Sequence, residues 1–484
     1  MIESKRYNFL QSNENRFFIF STLFLTLASS LRHFWFHSSS WDLGIFEQAI
    51  YLISKGIEPI SSLLGFHILS DHGALVLYPL AFFYKIIPST YFLFFLQSFA
   101  LSLSIFPLYK LSKKTNISKK NLNASYFAFL LYPIVFNVNI FDFHPEVLAF
   151  PLVLEIFVNF KLNQTNISFK LIRNIFFILS CKITNSFLVF GLGIWLILKG
   201  FRKTGYLLIS LSILWFNTIA FFLIPYYGND NSSIFRQATK FGLNEEVVFN
   251  IFTFTKIIWQ LINQIFTFAN LEYLLLIILP CLYVVLHKKR IKLLGNFLPF
   301  LPLISLNLIS DSYPMKNLVH QYSLFVVPFI AISIQESLSP SIVFGIKNYP
   351  TWFQKRCSKI IIFWSILTFL IFSRFTFYLG PFHSHFESSK ARREAITLID
   401  KNSSVLTTND LVPHLSRRKN IKFTDSNVKY NFEEFDEILL DLENPGWKSN
   451  KVFAEKIQNE LNLNKLWFIK YQKDNILIFE KFIN

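Results

Sequence analysis

Charge is scarce in this 484-residue chain, and acid is the scarcer half. Asp, Glu, Lys and Arg together make up 16% of it, and 30 acidic residues stand against 47 basic ones, a net charge of +17. Cysteine is nearly missing. Cys181, Cys281 and Cys357 lie far apart and form no CxxC pair, which argues against a disulfide framework and against a thiolate metal site. The C-terminal part has no glycine-rich phosphate loop, so no nucleotide site is visible there. No small-residue cleavage motif follows the first apolar segment. That segment, which runs on from "MIESKRYNFLQSNENR", therefore reads as a retained span rather than a signal peptide.

Apolar residues fill the place of the missing charge. They make up 52% of the chain, with 60 Phe among them, and mean hydropathy is +0.40. A soluble protein of this size has no interior large enough for them, so the composition indicates an integral membrane protein. In such a protein a basic excess reports topology first, and no nucleic-acid partner is expected.

Apolar stretches at 16–36, 90–109, 122–140, 146–161, 170–181, 186–200, 205–226, 271–287, 292–309, 320–334 and 358–379 predict about eleven transmembrane helices. "KLSKKTNISKK", "KLNQTNISFKLIR", "KGFRK", "HKKRIK" and "KRCSK" then all fall on the side of the N-terminus, which the positive-inside rule makes the cytoplasm. An odd number of spans puts the C-terminus on the other side. "ALVLYPLAFFYKII", Ala74 to Ile87, is too short to cross, and counting it would move "KLSKKTNISKK" outside; it reads as re-entrant or interfacial. From His383 onward, acids and bases nearly balance. "SSVLTT", "DEILLD", "KLWFIKY" and "NILIFEKF" read as strands, and "SSKARREAITLID" and "NKVFAEKIQNELN" as helices. The expected organisation is an α-helical polytopic membrane domain over 1–382 and a small extracytoplasmic α/β domain over 383–484.

The few acids of the membrane part are not spread evenly. Asp42, Glu47, Glu58, Asp71, Asp142 and Glu146 all fall in two predicted outward segments, together with His67, His72 and His144. Carboxylates near a bilayer are costly and mark function by default. Simpler roles exist for some of them. Asp42 precedes a helix-like run and suits an N-cap, and Glu146 follows Pro145 at a helix start. Helix-start chemistry does not account for Asp142 and His144 as well. Such side chains ligate Mg²⁺, Mn²⁺ or Zn²⁺ and also serve as general bases. A base in an outward cleft, with a cation or a Lys/Arg to hold a departing phosphate, suits glycosyl transfer from a lipid-phosphate sugar. Coupling-ion binding in a transporter uses the same residue types.

"WDLGIFEQA", "GFHILSDHGALVLYPL", "FDFHPEVLAFPL" and, in the tail, "TTNDLVPHLSRRKNI" followed by "EILLDLENP" resemble a prokaryotic family of predicted membrane proteins, domain of unknown function 2079 (DUF2079). That family is similar to the GT-C superfamily of membrane glycosyltransferases. The resemblance implies a GT-C-like fold, a polyprenyl-phosphate-linked donor and an essential acid in the first outward loop. By position it assigns catalysis to Asp42, Asp71 and Asp142. It assigns substrate binding to Glu47, Gln48, His67, Lys182, His320 and Tyr322, and a divalent metal (Mg or Mn) to His72, His144 and Glu146. Where the family shows "KED" this chain has Lys182, Ile183 and Thr184, so two acids are missing. The expected protein is thus a glycosyltransferase of the cytoplasmic membrane. It would move a sugar from a lipid-linked donor to an acceptor of the cell envelope on the extracytoplasmic face. The alternative is a non-catalytic transporter or envelope-assembly protein on a related scaffold, although no internal repeat of the transporter kind is visible.

Overall fold

A computed structural model describes residues 12–164, 167–228, 262–341 and 345–482; the basic N-terminal stretch up to residue 11 lies outside them. Helix α1 (Asn13–Phe34) is an apolar run that ends on Arg32, a cation at the negative end of its dipole. Phe20, Leu23 and Leu27 stay exposed along it, as a lipid-facing stripe requires. Six stretches among the described residues are long and apolar enough to cross a bilayer: Asn13–Phe34, Thr90–Thr115, Arg202–Gly228, Phe268–Leu286, Arg290–Ile309 and Tyr313–Ser337. This is a multi-pass membrane protein.

The other expected spans coincide with shorter helices. The stretch 122–140 is broken into Lys119–Leu130 and Pro133–Ile140, with Pro133 opening the second piece. Phe150–Lys161, Phe169–Cys181 and Asn185–Leu198 follow. Each of these alone is shorter than the roughly 30 Å hydrocarbon core. Thr351–Phe372 is long enough but carries Lys355, Arg356 and Lys359 in its first turns.

Besides a single helical turn at Leu69–His72, the chain makes two ten-residue helices between α1 and the next long helix, α2 (Ile45–Ser54) and α3 (Leu77–Ile86). They pack on each other around Ile50, Leu77, Leu80 and Tyr84. The opposite side of α3 exposes Phe82, Phe83 and Ile86, and its ten residues are too few to cross. A two-residue hairpin, β1 (Ile60–Ser61) with β2 (Phe66–His67), lies between them.

The C-terminal part forms a five-stranded sheet of order β4-β3-β5-β7-β6, from β3 (Val405–Thr407), β4 (Ile421–Phe423), β5 (Glu437–Asp441), β6 (Trp467–Lys473) and β7 (Ile476–Lys481). β3 runs parallel to β4 and β5, and β7 antiparallel to β5 and β6. Helices α4 (Ser389–Leu398) and α5 (Lys451–Leu463) accompany it. Four strands fall on the alternating stretches read from sequence. β4, only "IKF", carries too little alternation to be seen alone.

The sheet is docked on the first loop. Phe36, just past α1, adopts a left-handed φ of 64° and buries its ring with Ala391, Val412 and Leu439. Gly44 lets the tail approach: a Cβ there would meet Val412 Cγ1 at 3.0 Å.

Candidate functional site

The turn carrying Asp42 is set from two sides. Ser39 Oγ accepts the Trp41 amide at 3.2 Å, and Asn409 Oδ1 of the tail accepts from Ser40 Oγ at 2.5 Å. Asp42 therefore does not cap. Helix α2 starts after Gly44 with no side-chain cap, and the capping reading is corrected. The Asp42 carboxylate instead meets His144 Nε2 at 3.2 Å, with a quarter of the Asp42 side chain exposed and His144 buried.

Asp142 sits at φ 79°, unusual for a non-glycine residue, at the turn between Pro133–Ile140 and the 3₁₀ turn that Pro145 opens. Both its oxygens are engaged: Arg32 Nη1 donates to one at 2.6 Å and the Ser39 amide to the other at 2.8 Å. Gln97 holds the turn from behind. Its amide donates to the carbonyl of Asp142 at 2.8 Å, and its oxygen accepts the His144 amide at 2.9 Å. A residue held in so sparse a region requires surroundings that over-determine it, and these contacts do so.

Glu146 and Lys182 form a buried pair at 2.6 Å, and the Lys182 ammonium also lies 5.0 Å from the centre of the Tyr322 ring. Asp71 pairs with His72. The charge of Asp71 acts on both Lys182 and Tyr322, and that of Asp42 on Tyr322 and His320. The two loops are joined by backbone as well. Ile183 donates to the carbonyl of His72 at 3.0 Å and Val76 to that of Ser180 at 3.1 Å. Phe141 stacks on His144 and meets His320 edge-on at 4.5 Å. Asp42, Asp71, His72, Asp142, His144, Glu146, Lys182, His320 and Tyr322 thus form one electrostatically connected cluster drawn from five separated segments.

Three expected site residues lie elsewhere. Glu47 is fully buried and accepts from Tyr84 at 2.6 Å, Thr90 at 2.8 Å and Ser416 of the tail at 2.8 Å. Gln48 binds Ser61, Ser62 and the carbonyls of Arg418 and Lys419. Both fasten the tail to α2. His67 stacks on Tyr227 at 3.9 Å and accepts the Leu69 amide.

Burial works against a charged His144, but the hydrogen bond and charge of Asp42, with Glu146 behind, hold its pKa above the ordinary histidine value. The side chains expected to hold a divalent metal, His72, His144 and Glu146, each have a protein partner. Lys182 occupies Glu146, Asp71 engages His72, and Asp42 takes His144 Nε2, leaving only His144 Nδ1 buried and unpartnered. Among the described residues no three His, Cys, Asp or Glu side chains converge as a metal set. The missing acids stand as Ile183 and Thr184, half-buried on the Lys182 turn.

A sequence profile described as "Predicted membrane protein (DUF2079)" matches residues 32–478. The chain belongs to this family. No curated protein matches it in sequence. In fold, this DUF2079 protein is similar to ArnT from Cupriavidus metallidurans, solved bound to undecaprenyl phosphate. The TM-score is 0.51 over 96% of this chain and 97% of ArnT, at 10% sequence identity. That likeness speaks for the fold.

Arg32, Gln97 and Asn409 of this DUF2079 chain were missed by sequence reasoning. Gln97 gave a usable signal, a lone amide inside the apolar run 90–103. Asn409 stands in the tail motif "TTNDLVPHLSRRKNI", but nothing in the sequence points to its partner Ser40, 369 residues away.

Proposed function

We propose that this DUF2079 protein is a membrane glycosyltransferase that takes a sugar from a polyprenyl-phosphate donor at the extracytoplasmic ends of its helices. The observation that carries the reading is the convergence of a partly exposed carboxylate, Asp42, with two cations, Arg32 and Lys182, around one cluster. The likeness to ArnT, a GT-C glycosyltransferase, supports it. Eleven crossings, a cytoplasmic N-terminus and an exported tail belong to the same proposal, with the shorter helices completing the count.

Asp42 is the general base. It accepts the proton of an acceptor hydroxyl, whose oxygen bonds to the anomeric carbon of the sugar. The bond from that carbon to the phosphate oxygen breaks, and polyprenyl phosphate leaves with the electron pair. His144, carrying a proton, orients Asp42. Lys182 has three donors and spends one on Glu146, so it and the Arg32 guanidinium meet the phosphate charge. Asp142 is a positioning residue, because both its oxygens hold Arg32 and the Ser39 amide in place. Asp71 holds His72 beside them. Such a site requires no metal step.

The test is a deletion strain. It should lose one sugar from its envelope glycans and accumulate a polyprenyl-phosphate sugar, and wild-type protein but not Asp42→Asn should reverse both. Unchanged glycans and lipid pools in the deletion strain would remove the enzyme reading and favour a transport or assembly role.

A further inference from the structure

Beside the turn that carries Asp42, a groove of about 500 Å³ opens between the first loop and the tail, within the range of small-ligand sites. Trp41 lines it, one residue from Asp42, and Trp447 stands next to it; the two residues are 38% and 52% exposed. The two rings meet edge-on at 6.0 Å, and Phe423 of the groove wall stacks under Trp447 at 6.1 Å. Lys448 lies 5.4 Å from the Trp41 ring centre and 4.9 Å from that of Trp447, and it pairs with Asp425 at 3.1 Å. Lys422 and Glu434 add a second opposite-charge pair on the wall.

The loop that presents Trp447 is built at a cost. Lys448 takes a φ of 64°, a region a lysine rarely enters, and the Ser426 amide donates to its carbonyl at 2.9 Å. Gly446 has a φ of 81°, and a Cβ there would meet Asn409 Cβ at 3.1 Å. Asn409 is the same residue that holds Ser40. One asparagine therefore braces both tryptophan loops, and through Ser40 the turn that carries Asp42.

From this we infer that the groove is the acceptor subsite and that the acceptor is a saccharide. The inference rests on the transferase reading above. Exposed aromatic faces take the C–H faces of sugar rings. The lysines, Asp425 and Glu434 around them supply donors and acceptors for ring hydroxyls. A flat bilayer contact would need neither the concavity nor the paired charges. Trp41, which lines the groove, is the residue before Asp42, the base that has to reach the acceptor hydroxyl.

The experiment uses the full chain in lipid nanodiscs and, as probe, oligosaccharides released by mild acid from the envelope of the deletion strain. Binding is read by tryptophan fluorescence and by calorimetry. Undecaprenyl phosphate binding is measured in parallel, and Trp352→Ala, an exposed aromatic outside the groove, is the control. Trp447→Ala should weaken oligosaccharide binding about tenfold, the scale of one lost aromatic contact, and leave undecaprenyl phosphate binding unchanged. Lys448→Ala should weaken it in the same direction. Equal binding by wild type and Trp447→Ala, or no oligosaccharide binding at all, overturns the inference. So does a Trp447→Ala defect seen only as weaker attachment to empty vesicles. Loss of undecaprenyl phosphate binding with oligosaccharide binding intact would instead sink the transferase reading and leave a glycan-binding groove.

Discussion

Replacing Asp42 with Asn separates chemistry from architecture at a single atom. The Asp42 carboxylate makes one contact in the cluster, to His144 Nε2 at 3.2 Å, and a quarter of the side chain is exposed. A partly exposed hydrogen bond of this kind is worth about 0.5–1.5 kcal/mol net, and the Asn oxygen still accepts it. Stability should therefore fall by less than about 1 kcal/mol. Asp42→Ala should cost little more, because the turn is closed by Ser39 and Asn409 and not by Asp42. The amide cannot take a proton, so the transfer rate should drop by about 10²–10⁴, the usual effect of losing a general base. Purified protein in nanodiscs, the accumulated polyprenyl-phosphate sugar of the deletion strain and its envelope glycan make up the assay. Thermal unfolding in the same nanodiscs reports stability. A folded Asp42→Asn protein that keeps wild-type transfer would refute Asp42 as the base and move the search to Asp71 or Glu146.

Lys182→Gln leaves Glu146 buried without its partner and should destabilise by about 3–5 kcal/mol in thermal unfolding. The double change Lys182→Gln with Glu146→Gln should recover most of that, and an additive loss would contradict the pairing. Burial pushes Asp410 up to about 6, so the folded chain holds a proton that the unfolded chain has released between about pH 4 and 6. Its contribution is complete below pH 4 and is lost as pH rises through 6. Asp410→Asn should therefore stabilise the protein at pH 8 by about 1–3 kcal/mol relative to its effect at pH 4.5, and a pH-independent effect would count against this. A phosphatase fused to the C-terminus should be active and a cytoplasm-dependent reporter inactive; the reverse would overturn the orientation.

Much of the architecture could be read from the sequence because bilayer physics acts on composition. Long apolar runs must become helices, and α1 and the helices at 90–115 and 202–228 stand where hydropathy placed them. Shorter elements followed less directly. Hydropathy sees 122–140 as one run, yet Pro133 divides it into two helices. The acidic cluster was legible for a similar reason: carboxylates are so rare in the membrane part that six in two segments stood out. Their separation into roles was not legible. Glu47 and Asp42 lie five residues apart in one motif, but one turns to Ser416 and the tail and the other to His144. Only three-dimensional packing makes that distinction. Arg32 offered a clue of its own, a cation at the end of α1 where the proposed orientation gives basic residues no topological reason to be.

The central claim is that Arg32 and Lys182 meet the phosphate of a polyprenyl-phosphate lipid in the cavity that Asp42 faces. A cryo-electron microscopy structure of the full chain in nanodiscs with undecaprenyl phosphate tests it most directly. The account predicts the phosphate within hydrogen-bond distance of Lys182 Nζ or the Arg32 guanidinium, with the Asp42 carboxylate facing the same cavity. A phosphate held at the opposite ends of the helices, or Asp42 and Lys182 lining separate cavities, would contradict it.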